Sequence, residues 1–217
     1  MDLTPTSEQE AFRAELRSWL ADHPPAEALR AHSEDLAAEV AGLREWQALL
    51  ASDRWIGVTW PEEYGGRGAG PLHHFIVQEE LARARSPELV GRIAVNLVGP
   101  TLLAHGTPEQ KARWLPRILA ADELWCQLFS EPGAGSDLAA LSTRAERVDG
   151  GWRLTGQKVW TSYAQFADWG LCLARTDPDA PKNRGISALA VDMHTDGVEV
   201  RPLVQVTGEA EFNEVFF

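Results

Sequence analysis

Gln127-Leu128-Phe129-Ser130-Glu131-Pro132-Gly133-Ala134-Gly135-Ser136-Asp137 is a strand-like apolar run that ends in a glycine-rich turn. It stands just beyond the point where the hydrophobic period of the chain changes. Up to about residue 122 the apolar residues recur at helical spacing, and from about Leu124 onward they fall into short β-like runs separated by turn residues. Helices followed by strands, without alternation of the two, predict an α+β fold rather than a doubly wound sheet. The expectation is an all-helical N-terminal domain over 1–122, then a small antiparallel β-barrel-like or sandwich middle domain over 123–217.

Upstream of the turn, Ser7 and Glu10 form a capping-box pattern ahead of Phe12, Leu16, Trp19 and Leu20, which share one helix face until Pro24-Pro25. Leu36, Val40, Leu43, Trp46 and Leu50 make a second stripe. Between Trp55 and Gly70 the period is lost, and Pro61 with paired Gly65-Gly66 reads as a loop. Helical spacing returns from about Pro71 to Arg85 and from Glu88 to His105, with Gly106 as C-cap and His105 favourable to the helix dipole. Thr107, Pro108 and Gln110 are N-cap, first-turn and capping-box residues of a further helix, which Pro116 should kink or interrupt. Downstream, the β-like runs are Trp125–Ser130, Thr143–Val148, Trp152–Thr155, Trp169–Arg175, Ile186–Val191 and Val198–Val206, with a hairpin turn at Asp149-Gly150-Gly151.

The 217 residues carry 20 Lys+Arg against 32 Asp+Glu, a net charge of −12, divided equally by a cut after Asp122. Neither half has the basic stripe that a nucleic acid or an anionic membrane requires, so neither is an expected partner. The most apolar stretch, Leu89–Ala104, is broken by Arg92, Asn96 and Pro100 and is too short and polar to span a bilayer. The amino terminus lacks the basic start and apolar run of a signal peptide, which makes a cytoplasmic address the default. Cys126 and Cys172 lie in apolar runs and read as buried thiols. The terminal run Glu214-Val215-Phe216-Phe217 is strand-like, without a polar tail, and suggests a chain that is cut.

Two segments could carry chemistry. In the glycine-rich turn the backbone can approach a ligand closely and offer successive N–H groups to an anion, with Ser136 and Asp137 adding side-chain bonds; taken alone, a tight structural turn is the favoured reading. In Gly156-Gln157-Lys158-Val159-Trp160-Thr161-Ser162 an indole precedes two hydroxyls, which suits a flat heteroaromatic ligand; taken alone, a core aromatic followed by turn residues is the favoured reading. The six histidines have no metal-ligand spacing, and His73 and His74 point to different sides of a helix. Glu62-Glu63 and Glu79-Glu80 read as solvated pairs, and no nucleophile elbow is present.

Taken together and in order, the two segments resemble the flavin-binding signature pair of the acyl-CoA dehydrogenase family. Trp60-Pro61-Glu62-Glu63-Tyr64-Gly65-Gly66, Glu79-Glu80-Leu81-Ala82-Arg83, Gly106-Thr107-Pro108-Glu109-Gln110-Lys111 and Leu173-Ala174-Arg175-Thr176 are similar to segments at corresponding places in that family. The first of these, with the terminal Phe212-Asn213-Glu214-Val215-Phe216-Phe217, is similar to actinobacterial members, some of which act on bulky or sterol-derived thioesters.

The resemblance implies FAD as cofactor, an acyl-CoA substrate, an electron-transfer flavoprotein as acceptor, and a homo- or hetero-oligomer working in fatty acid β-oxidation or wider lipid metabolism. It implies that Gln127, Phe129 and Ser130 contact the flavin ring, that Trp160 lies against it, and that Thr161 and Ser162 are close to it. Many relatives have Thr in place of Ser162, and the hydroxyl is retained. Ser136, next to Gly135, would contact the FAD phosphates and the CoA portion, while Ile93 and Leu97 would help wall the acyl pocket or simply pack in a core. The implied reaction is α,β-dehydrogenation by a carboxylate base and flavin, and that base belongs to a C-terminal helical bundle absent from these residues. No catalytic residue is therefore expected in this chain, which alone should be inactive and hold FAD weakly. Two further readings keep the fold: a non-catalytic flavin-binding subunit of a heteromeric dehydrogenase, and an acyl-CoA oxidase or flavin monooxygenase.

Overall fold

The structure, a computed structural model, describes residues 4–26 and 35–217, so residues 1–3, where the reading of the amino terminus begins, lie outside it. The chain forms two compact units, Met1–Asp122 and Glu123–Phe217.

The first unit is helical. Its elements are α1 (Ser7–Asp22), α2 (Leu36–Ser52), α3 (Pro71–Arg83), a π-helical turn (Ala94–Val98) that runs into α4 (Gly99–His105), and α5 (Pro108–Ala120). The capping box of α1 sits one residue earlier than the Ser7–Glu10 pattern: the Thr6 hydroxyl accepts from Gln9 N–H, and Thr6 N–H donates to the Gln9 side chain. Thr107 and Gln110 make the same reciprocal pair at α5 as expected. Pro116 does not interrupt α5. It lies on the exposed side, where water serves the carbonyl deprived of its partner, while Leu115, Ile118 and Leu119 are buried on the other. Gly106 closes α4 in an extended conformation, and is small because a Cβ there would come within 2.7 Å of the Leu102 carbonyl oxygen.

Two buried polar knots brace this unit. Gln47 is enclosed between elements, donating to the Ile118 and Leu119 carbonyls at 3.0 and 3.1 Å and accepting from Gly91 N–H at 2.8 Å. The pair Glu79-Glu80 is not solvated as expected: Glu80 is only 3% exposed, because Arg13 and Arg17 of α1 reach across to α3 and neutralise it, and Arg13 also binds Glu79. Glu62-Glu63 is exposed, as read from the sequence. His73 sets its ring edge against Phe12, and His74 turns to a separate cavity.

The second unit holds β1 (Trp125–Leu128), β2 (Arg144–Val148), β3 (Gly151–Thr155), β4 (Gln157–Ser162), β5 (Trp169–Arg175), β6 (Ile186–Asp192), β7 (Glu199–Leu203) and β8 (Phe212–Phe216). They form two open sheets rather than a closed barrel, the first with five strands and the second with order β4-β8-β7. The helical-then-β order is as the sequence predicts, but the first sheet is mixed. β1 runs parallel to β5, Trp125 opposite Trp169, whereas β5–β6 and β2–β3 are antiparallel. A parallel pair needs a long crossover, and the segment between β1 and β5 supplies one that contains β2, β3 and β4. Cys126, Leu128, Ala145, Cys172, Ala174, Val191, Met193 and Val215 make the core. Both thiols are free and buried, and burial lifts them to about 12 for Cys126 and about 11 for Cys172.

Candidate functional site

The site is built where β1 and β4 come together. In β4 the pairing with β8 slips between Lys158 and Thr161: Lys158 faces Val215, but Thr161 faces Asn213, so β4 carries one residue more than its partner. That is a β-bulge. Trp160 lies within it with φ +61°, in the left-handed region that bulky residues avoid, and its side chain is 63% exposed. An apolar indole held outward by an unfavourable backbone conformation is the opposite of the core aromatic that the sequence also allowed. Its ring meets Phe212 edge-on at 6.1 Å.

The glycine-rich turn lies against this bulge. Val159 N–H donates to the Ser130 carbonyl at 2.9 Å, so the two chemically suggestive segments meet through adjacent residues. Beyond Ser130, Glu131 and Ala134 exchange a reciprocal pair of backbone bonds that closes the turn. Gly133 and Gly135 have neither positive φ nor any neighbour: a Cβ added at either would meet nothing within 4 Å. Neither the backbone nor internal packing demands glycine there, and the bare backbone is open to a close approach at both positions.

Gln127 is exposed on β1 between buried Cys126 and Leu128, and Phe129 and Ser130 are half-buried. Gly135 and Ser136 are exposed, and Ser162 is half-buried at the end of β4. Thr161 differs, for it is buried, its hydroxyl has no hydrogen-bond partner among the described residues, and its carbonyl accepts from the Asn213 amide at 3.0 Å. Ile93 and Leu97 belong to the helical unit, half-buried just before and within the π-helical turn. They do not line the cavity of about 230 Å³ in that unit, whose walls include Trp55, Val77, Leu81, Arg92, Val95 and Asn96.

Two residues of the site had no role assigned from sequence. Lys158 is 0% exposed, and its ammonium donates to Glu131 at 2.8 Å, the Leu173 carbonyl at 2.7 Å and the Phe129 carbonyl at 3.2 Å. Glu131 also accepts from the Ser142 N–H and hydroxyl and from Thr143 N–H. Burial pushes the Glu131 carboxyl up, but the Lys158 ammonium and the donors of Thr143 and Ser142 outweigh it and hold the group at about 2. A lysine followed by Val159 and Trp160 in a strand that must bury one face was the available signal.

The residues present suit a flat, phosphate-bearing cofactor: an exposed indole, the hydroxyls of Ser130, Ser136 and Ser162, and a turn with room at Gly133 and Gly135. No group of His, Cys, Asp and Glu among the described residues could hold a metal ion, and no helix there is long and apolar enough to cross a membrane.

A family model for "Acyl-CoA dehydrogenase, N-terminal domain" matches residues 6–122, and one for "Acyl-CoA dehydrogenase, middle domain" matches residues 126–217. Acyl-CoA dehydrogenase FadE34 of Mycobacterium tuberculosis is 54% identical over 193 residues, covering 87% of this chain and 26% of that protein. Two solved structures superpose over the full chain at 37% identity: a "Tcur3481-Tcur3483 steroid ACAD", with a TM-score of 0.83, and the ChsE4-ChsE5 complex from Mycobacterium tuberculosis, with a TM-score of 0.84. The chain spans 56% and 55% of those two proteins and about a quarter of FadE34.

Proposed function

The chain belongs to the acyl-CoA dehydrogenase family, and from that premise we propose that it forms the flavin-facing part of an FAD-dependent enzyme that introduces an α,β double bond into an acyl-CoA thioester. The observation that carries this reading is the Val159 N–H to Ser130 carbonyl bond, 2.9 Å, which joins the glycine-rich turn to the exposed Trp160. FAD, when bound, supplies the hydride acceptor. Trp160 covers one face of the ring and keeps water from it. Ser130 and Ser162 donate to ring heteroatoms, with Gln127, Phe129 and Thr161 shaping the edge of the same surface. Gly135 and Ser136 receive phosphates of the cofactor and the CoA portion of the substrate. Ile93 and Leu97 wall the acyl group.

Glu131 is not the base that removes the α-proton. It is ionised far below neutral pH, buried, and its oxygens already accept from Lys158, Ser142 and Thr143. The base comes from outside these two units, from a further segment or a second subunit of the same family, and without it these residues do not turn over. ChsE4-ChsE5 is itself a complex, which favours a heteromeric partner, and the steroid ACAD favours a bulky, steroid-derived acyl group. Electron-transfer flavoprotein is the acceptor on this reading.

The test is anaerobic mixing of the whole FAD-loaded protein with acyl-CoA thioesters of increasing bulk. Bleaching of the flavin absorbance, fastest with a steroid-derived thioester, is the expected result. A flavin that stays oxidised with every thioester overturns the reading, and rapid reoxidation by oxygen after bleaching points to an oxidase.

A further inference from the structure

Lys158 uses all three ammonium protons inside the fold, and two of them go to the residues on either side of Ser130: the Phe129 carbonyl at 3.2 Å and the Glu131 carboxylate at 2.8 Å. The next residue, Val159, takes the Ser130 carbonyl itself at 2.9 Å. Two consecutive residues of β4 thus hold three consecutive residues of the glycine-rich turn. The third proton, on the Leu173 carbonyl at 2.7 Å, fixes the ammonium to β5 in the first sheet. Glu131 passes the constraint on to Ser142 and Thr143, at the entry to β2.

Stability alone is a poor explanation of this arrangement. A buried ion pair is costly to desolvate, and well-packed apolar residues of similar volume commonly stabilise a fold as well or better. What such residues cannot do is fix a distance by directed bonds. The clamp lies two residues before Trp160, at the start of the bulge that turns the indole outward, so any slip at Lys158 moves Trp160 relative to Ser130.

We propose that Lys158 is a positioning residue for the cofactor: by gripping both neighbours of Ser130 it sets the separation between the glycine-rich turn and Trp160, and through that separation the affinity for FAD. The proposal rests on the flavin reading above. A displacement of about 1 Å in a preorganised site is enough to change function by orders of magnitude.

The experiment separates geometry from stability in the FAD-loaded protein. The variants are Lys158→Met and the double replacement Lys158→Met with Glu131→Leu, and the readouts are thermal midpoint, FAD dissociation constant and the visible flavin spectrum. The single variant is expected to lose both stability and FAD affinity. The double variant removes the unpaired charge and recovers part of the midpoint, the N–H groups of Ser142 and Thr143 and the carbonyls of Phe129 and Leu173 staying without their side-chain partners, yet its FAD affinity stays at least about tenfold below wild type and the flavin band loses its resolved shoulders. Should the double variant not fold, Lys158→Met is brought to the wild-type midpoint with trimethylamine N-oxide, which favours compact states without restoring the bonds, and the same difference is read. FAD affinity that returns with the midpoint, or never falls in the single variant, overturns the proposal. A wild-type protein that takes up no FAD overturns the flavin reading itself, and the proposal with it.

Discussion

Glu80 and Arg17 meet side-on, Nε to Oε2 at 2.6 Å and Nη2 to Oε1 at 3.0 Å, with the carboxylate buried and the guanidinium half in water. Arg13 approaches the same carboxylate from inside and is itself buried. Glu80→Ala removes the buried carboxylate that Arg13 and Arg17 share and leaves the buried Arg13 with Glu79 as its remaining close partner, so a loss of about 2–3 kcal/mol is expected. Arg17→Ala removes an exposed partner only and is expected to cost about 1 kcal/mol or less. Urea unfolding of the two variants measures both, and equal losses would contradict the burial argument.

Acid sensitivity has a local source in Glu131. The folded Glu131 carboxyl lies at about 2 against an ordinary 4.5, so its stabilisation is complete above 4.5 and is lost as pH falls toward 2. Wild type is expected to lose stability across that window more steeply than Glu131→Gln, which has no proton to take up. Parallel slopes in chemical unfolding from pH 5 to 2 would count against the pair.

Three glycines of the second unit separate structural from ligand-related need. Gly133→Ala and Gly135→Ala add a methyl into open space, so stability is expected to stay within about 0.5 kcal/mol of wild type while FAD affinity drops. Gly156→Ala drives a methyl into Thr143 at a positive φ, and its thermal midpoint is expected to fall whether or not FAD is present. Differential scanning with and without FAD distinguishes the two behaviours.

Trp160 gives the converse case. Glycine relieves its left-handed backbone, a conformation costing about 1–2 kcal/mol for an L side chain, at the loss of little more than the edge contact with Phe212. Trp160→Gly is expected to be at least as stable as wild type and to lose the quenching of bound flavin fluorescence that a stacked indole provides. Unchanged quenching would place the ring elsewhere.

The order of helices and strands was legible because amphipathic periods and caps are local, and Thr107 with Gln110 shows how directly a cap can be read. Glu80 was misread because its partners, Arg13 and Arg17, lie more than 60 residues away on another helix. Pro116 was misread because propensity ignores which side of a helix faces water. The mixed character of the first sheet was invisible, since a strand does not advertise the direction of a neighbour it meets after a long excursion. In the site, the indole and hydroxyls were visible as residue types. The bulge that presents Trp160 and the clamp from Lys158 depend on register with β8 and on contact with β1 and β5, which single-sequence patterns do not contain.

The parallel pairing of β1 with β5 bears on the order of events in folding. The β2–β3 hairpin closes over the two residues Asp149 and Gly150, and β5–β6 over residues 176–185, whereas β1 meets β5 only after β2, β3 and β4 have intervened. Loop closure of that length is entropically slow relative to a hairpin. On that ground β1 is expected to join late, and the glycine-rich turn that leaves it to take shape after the hairpins. A newly made chain would pass through a stage with sound hairpins and an unformed ligand surface, and that stage is where a cofactor in excess could act as a folding aid.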